Sequence, residues 1–259
     1  MSASPIALRV IAVEAARAAG ELLRERFVAG GERAVGSKSS PTDLVSEADL
    51  AAERAIRELL AARRPGDAIL GEEGGETQVG EGLRWIVDPL DGTVNFLFGV
   101  PQWCVSVAVH DDEGGLAGVV FDPLRDEIFT AERGGTTALD GAPVSGSACS
   151  ELSSALVATG FGYESSVRST QAAAVARVLP AVRDIRRMGS AALDLAWTAV
   201  GRYDAFYERG VQTWDIAAGS LLCERAGLVV RSLHAEGAAP EGLVVAPPGL
   251  IDELQALVS

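Results

Sequence analysis

In Trp85-Ile86-Val87-Asp88-Pro89-Leu90-Asp91-Gly92-Thr93-Val94-Asn95-Phe96 an apolar strand runs into two carboxylates, a glycine and a threonine. A carboxylate at the end of a buried strand has its backbone held by the sheet. The second lies three residues on, where Gly92 and Thr93 can open a short helix whose free N–H groups attract an anion. Hard oxygen ligands of this kind suit Mg²⁺, which bridges a few carboxylates and substrate phosphate. A strand followed by an ordinary Asp-Gly turn uses the same residues, so the rest of the chain must decide.

Other acidic residues also sit at expected element ends. Glu72 follows the strand Ile69-Leu70-Gly71, and Asp215 lies in Thr213-Trp214-Asp215-Ile216-Ala217-Ala218-Gly219. An Asp in a first helical turn is favoured by the helix dipole whatever else it does. Asp49 has a structural reading too: Ser46-Glu47-Ala48-Asp49 before an apolar helix is a capping box, in which Asp49 reaches back to the cap.

The elements that must position these groups are legible from periodicity and punctuation. Ser4-Pro5 reads as an N-cap with proline at the first helical position, and the first helix is expected to end near Gly30-Gly31. After a polar segment containing Lys38-Ser39-Ser40-Pro41, a second helix runs from about Ser46 to Arg64. Strands follow at Ala68 to Gly71, Arg84 to Asp88, Trp103 to His110, Leu116 to Phe121 and Glu127 to Ala131, with Gly114-Gly115 turning a hairpin. Beyond Asp140-Gly141 the pattern alternates. It runs strand Ala155 to Thr159, helix about Thr170 to Leu179, strand Ile185 to Arg187, helix about Ser190 to Val200, strand Tyr203 to Tyr207 and helix Trp214 to Ala226. Strands Leu228 to Val230 and Leu243 to Val245 and a last helix complete it. The expectation is an α/β protein, α+β in residues 1–140 and α/β in residues 141–259, as two closely packed subdomains.

Among 259 residues, 36 acidic against 22 basic side chains give a net charge of −14, which repels nucleic acid and anionic membranes where no basic patch is segregated. A protein so acidic needs cations to hold a phosphorylated substrate. Cys104, Cys149 and Cys223 are odd in number and far apart, and read as reduced core thiols. None begins a Cys-x-x-x-x-x-Arg loop, so phosphatase chemistry through a cysteine nucleophile is excluded. No apolar run approaches membrane-spanning length, and the N-terminus carries Glu14, Arg17 and Glu21 in place of a signal-peptide core, which leads us to expect a cytoplasmic protein. His110 and His234 lie outside every motif, and the four tryptophans, Trp85, Trp103, Trp197 and Trp214, read as core residues.

Taken in order, Lys38-Ser39-Ser40-Pro41-Thr42-Asp43-Leu44-Val45-Ser46-Glu47-Ala48-Asp49, Gly71-Glu72-Glu73, Asp88 through Phe96 and Trp214-Asp215-Ile216-Ala217-Ala218-Gly219 resemble the inositol monophosphatases over nearly the whole chain. The resemblance implies a layered αβαβα sandwich, usually a homodimer, and a lithium-sensitive phosphomonoesterase acting on inositol 1-phosphate and related polyol phosphates. It further implies two to three Mg²⁺ ions held by Glu72, Asp88, the Leu90 carbonyl, Asp91 and Asp215. Glu72, Asp49 and Thr93 would be catalytic, the last two positioning the attacking water. Asp91, Gly92 and Thr93 would hold the phosphate, and Gly189, Ser190, Ala191, Glu208 and Asp215 would contact the polyol. Lys38, the only lysine in the chain, would stand near the metals as a fixed counter-ion.

Two unit charges about 4 Å apart repel by roughly 4 kcal/mol at an effective dielectric of 20, so four converging carboxylates call for cations. The rivals are close or distant. Two residues separate Asp88 from Asp91, which excludes the Asp-x-Asp-x-Thr loop of haloacid-dehalogenase-type phosphatases. Superfamily activities on fructose 1,6-bisphosphate, histidinol phosphate or nucleotide 3′-phosphates stay open, as does a regulatory role as a binding partner of RNA polymerase.

Overall fold

A computed structural model describes residues 4–30, 35–37, 44–77 and 82–259. Lys38 and the segment around it lie outside the described residues.

Helix α1 (Pro5–Ala29) starts where local chemistry places it: the Ser4 hydroxyl accepts from Ala7 N at 3.3 Å, proline occupies the first turn, and Gly30 closes the helix at φ 65°. Strands β1 (Val35–Ser37) and β2 (Leu44–Ser46) pair and lead into α2 (Glu47–Arg63). An eight-stranded sheet follows, built from β3 (Ala68–Gly71), β4 (Gly75–Thr77), β5 (Arg84–Asp91), β6 (Cys104–Asp111), β7 (Gly114–Asp122), β8 (Glu127–Glu132), β9 (Ala138–Leu139) and β10 (Ala142–Pro143). Its order is β10-β9-β8-β7-β6-β5-β3-β4, antiparallel except where β3 runs parallel to β5. The short helix α3 (Thr93–Phe98) leaves β5 for β6.

The second half carries β11 (Leu156–Thr159), α4 (Ser165–Val178), β12 (Asp184–Arg186), α5 (Ala191–Ala199), β13 (Ala205–Arg209), α6 (Thr213–Arg225), β14 (Val229–Leu233), β15 (Gly242–Ala246) and α7 (Ile251–Val258). Its sheet, ordered β12-β11-β13-β15-β14, is parallel across β12, β11 and β13 and antiparallel at β15 and β14.

Helices α1 and α2 cover one face of the large sheet, α5 and α6 fill the space between the sheets, and α4 and α7 pack together on the far face of the small one. That is the expected αβαβα layering. The middle layer is close-packed through small residues: Ala192, Ala196, Ala199 and Ala218 are fully buried between the sheets with Leu193, Leu195 and Phe206. The boundary expected at residue 140 falls between β9 and β10, the last strand of the large sheet.

Several expected bounds differ. β5 continues past Asp88 to Asp91, because the ladder with β6 resumes after a bulge. α4 begins at Ser165, five residues before the expected Thr170, since Glu164 in extended conformation breaks the chain there. β13 spans Ala205–Arg209 and not Tyr203 to Tyr207, because Glu208 and Arg209 pair with Leu243 and Gly242 of β15. Trp85 and Trp103 are fully buried, whereas Trp197 and Trp214 are only partly so, and Cys149 is likewise half-buried.

Candidate active site

The bulge that ends β5 builds the first wall. Asp88 pairs with Ser106 and Asp91 with Cys104, so three steps on β5 match two on β6. Pro89 has no N–H to give the ladder. Leu90 N instead donates to Asp88 Oδ1 at 3.0 Å, and the Leu90 carbonyl turns to accept from Thr93 Oγ1 at 3.1 Å. Gly92 caps α3, whose first-turn amides have no acceptor within so short a helix. Rings of Phe96, Trp103 and Phe27 meet at centroid distances of 5.2 to 5.4 Å and brace α3 against α1 and the strand following. Each such pair contributes about 0.5–1.5 kcal/mol beyond its buried area.

The single Thr93 hydroxyl proton is shared with Asp49 Oδ1, the nearer acceptor at 2.9 Å, and Asp49 is fully buried in the first turn of α2. The acid that sequence alone gives to helix capping is thus turned towards the start of α3. Ser46, the cap it would serve, has a side chain outside the described residues.

Asp91 crosses between the two halves. Its Oδ2 accepts from Ser190 Oγ at 2.6 Å and from Ala192 N at 2.7 Å, and so caps the N-terminus of α5 from 101 residues away. Asn95 makes the parallel link, its Nδ2 donating to Gln102 O at 2.7 Å and Met188 O at 2.8 Å. Asp215 caps its own helix: with Gln212 it forms a capping box in which Gln212 N donates to Asp215 Oδ2 at 2.7 Å.

Asp88, Asp91, Gly92, Thr93, Ser190 and Asp215 line one cleft of about 560 Å³ together with Glu72, Leu90, Gly189, Ala191 and Glu208. Of the residues singled out from sequence, Glu72, Asp88, Leu90, Asp91, Gly92, Thr93, Gly189, Ser190, Ala191, Glu208 and Asp215 line it, Asp49 stands behind Thr93, and Lys38 lies outside the described residues.

The cleft is electrostatically unfavourable without cations. Burial pushes the Asp88 carboxyl well above the usual range, and the charges of Glu72, Asp91 and Asp215 push it the same way. Asp91 is raised to about 6 by burial, against the hydrogen bonds from Ser190 and Ala192. Asp215 is raised by burial and by Asp91. Glu208 reaches about 8 through burial and Asp91, with Arg187 opposing.

Sequence reasoning missed three contributors. Gly160, at the end of β11, faces the Glu208 carboxylate so closely that a Cβ there would collide with it. Asp194, in the first turn of α5, is fully buried, has one oxygen without a hydrogen-bond partner and is raised well above its ordinary range by burial. Arg187 lines the cleft two residues before Gly189. Only Arg187 carried a signal in sequence, as a cation beside a segment already under suspicion.

The geometry has counterparts among known proteins. The inositol monophosphatase family profile matches residues 7–257. Inositol-1-monophosphatase SuhB of Mycobacterium tuberculosis is 43% identical over 270 residues, covering 97% of this chain and 93% of that protein. Nus factor SuhB of Escherichia coli is 40% identical over 222 residues, covering 85% and 83%. The crystal structure of extragenic suppressor protein suhB from Bartonella henselae superposes with a TM-score of 0.91 at 34% identity over 98% of each chain.

Proposed function

The chain belongs to the inositol monophosphatase family, and we propose that it is a Mg²⁺-dependent phosphomonoesterase that hydrolyses inositol 1-phosphate and related polyol phosphates by direct attack of water. The observation that carries this reading is the convergence of Glu72, Asp88, Asp91 and Asp215 on one cleft beside a Thr93–Asp49 hydrogen bond.

The donor set fits the implied metal. It is oxygen only, four carboxylates and the Leu90 carbonyl, as hard cations require. Burial together with mutual repulsion raises Asp88 and Asp215, a cost that bound cations would remove. Among the described residues no three such side chains are gathered about a single point. The number, two to three ions shared between these carboxylates, is what the family resemblance implies. When bound, Mg²⁺ would acidify the attacking water and neutralise charge on the leaving oxygen.

The chain's own residues do the rest. Amides of Gly92 and Thr93 orient the phosphate. Thr93 Oγ1 gives its proton to Asp49 Oδ1 and keeps lone pairs with which to accept a proton from the attacking water, so that Asp49 fixes the direction of the hydroxyl. Glu208, with Ser190, Ala191 and Asp215 beside it, faces the alcohol portion. The family resemblance extends the reading to a homodimer, and the charged N-terminal helix to a cytoplasmic location. No helix of the described residues is long and apolar enough to cross a membrane.

Initial rates on a panel of phosphomonoesters, with Mg²⁺ present and then chelated, test the proposal. A rate on inositol 1-phosphate no higher than on unrelated esters would replace the substrate, and a rate indifferent to chelation would replace the chemistry. A second reading keeps the regulatory role open, the chain also acting as a binding partner of RNA polymerase, and the relative named Nus factor SuhB gives it some support. A pull-down at physiological salt, compared with turnover by the same preparation, separates the two roles.

A further inference from the structure

The reaction above leaves two charged residues of the cleft, Glu164 and Arg187, without a task, and of these only Arg187 can attract an anion. Arg187 lines the same cavity as the four carboxylates and Glu208. Its side chain is exposed to that space, and among the described residues its guanidinium makes neither a hydrogen bond nor an ion pair. The other arginine of the cleft, Arg209, is fully committed to the fold. Its Nη1 donates to His234 O and Pro240 O at 2.9 Å, and its Nε and Nη2 donate to Val258 O at 3.3 and 3.2 Å. Arg187 therefore keeps all five of its N–H donors available.

The local structure keeps this guanidinium at the cleft. Gly189 makes room for it, since a Cβ there would come 2.7 Å from Nη1. The guanidinium carbon stands 5.8 Å from the centroid of the Phe161 ring, which also lines the cleft. The wall is continuous with the phosphate position: a Cβ on Gly92 would lie 3.3 Å from the carbonyl oxygen of Gly189, which is two residues along the chain from Arg187. The acidic groups that feel Arg187 are Glu208 and Asp194, and neither comes within ion-pair distance of it. A planar, permanently charged fork of this kind pairs with carboxylate or phosphate in two parallel hydrogen bonds, and with a neutral hydroxyl in only one.

We propose that Arg187 is a specificity-determining residue that binds a second anionic group, a carboxylate or a second phosphate, on the alcohol portion of the substrate. Esters bearing such a group are then hydrolysed in preference to their neutral-alcohol counterparts, with Glu208 taking the hydroxyls between the two anions. This rests on the phosphatase reading and narrows its substrate class.

Matched pairs test it. Glycerol 3-phosphate and 3-phosphoglycerate differ by a carboxylate, and fructose 1-phosphate and fructose 1,6-bisphosphate by a phosphate. With Mg²⁺ present, the wild-type protein should show the higher kcat/KM on the anion-bearing member of at least one pair, and the pair concerned tells which anion is read. Arg187→Gln should lower kcat/KM on that member about tenfold or more, chiefly through KM, and bring the ratio towards one. Arg187→Lys should restore part of the preference, since it keeps the charge and loses the fork. The Arg187→Gln side chain breaks no hydrogen bond of the fold, and an unchanged melting temperature checks this. No preference in either pair, or equal losses on both members, would overturn the inference and leave the phosphatase reading standing; the second result would put Arg187 on the transferred phosphate. No hydrolysis of any of the four while inositol 1-phosphate is turned over in the same assay overturns the inference alone, and no hydrolysis of all five overturns both.

Discussion

Thr93 Oγ1 lies 2.9 Å from Asp49 Oδ1, a hydrogen bond that joins the start of α3 to the first turn of α2 across 44 residues of sequence. In a capping box the Asp49 carboxylate is needed only as an acceptor, and Asp49→Asn would cost about 1 kcal/mol or less of stability with kcat nearly intact. As the group that orients Thr93 for proton transfer, Asp49 cannot be replaced by an amide. We expect kcat to fall about 10²- to 10⁴-fold in Asp49→Asn. Thr93→Val should fall similarly, and the double mutant should be far less than multiplicative because the pair acts as a unit. Wild-type kcat in folded, metal-loaded Asp49→Asn would end the catalytic assignment.

Removal of metal should be decisive. The purified protein is expected to be inert in excess chelator and to recover when Mg²⁺ is restored. Asp88→Asn, which removes a fully enclosed carboxylate at the β5 bulge, should lower kcat at least about a hundredfold, since it takes away several kcal/mol of transition-state stabilisation. The same substitution should raise the melting temperature of the metal-free protein, because it removes one of the mutually repelling charges. A lower melting temperature would show that Asp88 is held by contacts and not strained by its neighbours.

Local signals in the sequence were sufficient where the physics is local. Ser4, Pro5 and Gly30 bound α1 through caps that act within one turn, and Gly92 and Thr93 mark the start of α3. What stayed hidden depends on chain closure. That Asp91 caps α5 requires the two halves to meet at Ser190 and Ala192. β13 runs on to Arg209 only because β15 returns beside it. The short strands β4, β9 and β10 span two or three residues, too short for any hydrophobic period to register. Asp215 shows how both kinds of reading hold together: it caps α6 and faces the cleft.

Glu208 should titrate near neutrality. Burial and the charge of Asp91 carry it to about 8, with Arg187 pulling down. In the metal-free protein ¹³C NMR of its carboxyl should show that midpoint. Arg187→Gln should move it up, and Mg²⁺, by neutralising Asp91, should move it down. The folded state therefore holds this proton more tightly than the unfolded chain, where Glu titrates at about 4.3. Its contribution to stability is complete below about 4.3 and is lost as pH rises through about 8. The metal-free wild type should lose melting temperature across that window relative to Glu208→Gln. A Glu208 midpoint near 4.5 would contradict the buried, acid-facing setting.

Gly160 offers a way to move the Glu208 carboxylate without changing its chemistry. A Cβ at Gly160 would collide with that carboxylate, and the obstacle is the far end of a flexible side chain, so the chain can relax by swinging Glu208 away. Gly160→Ala should therefore melt close to wild type. If Glu208 accepts hydrogen bonds from the polyol, both Gly160→Ala and Glu208→Gln should raise KM for inositol 1-phosphate by about tenfold to a hundredfold, the range of one charged hydrogen bond. A simple aryl phosphate, which has no hydroxyls to lose, should be spared by both. The double mutant should be no worse than the poorer single, because the two changes remove the same contact. Equal losses on both substrates would point to general damage at the end of β11, and wild-type kinetics in Gly160→Ala would show that the position of Glu208 does not matter to the alcohol.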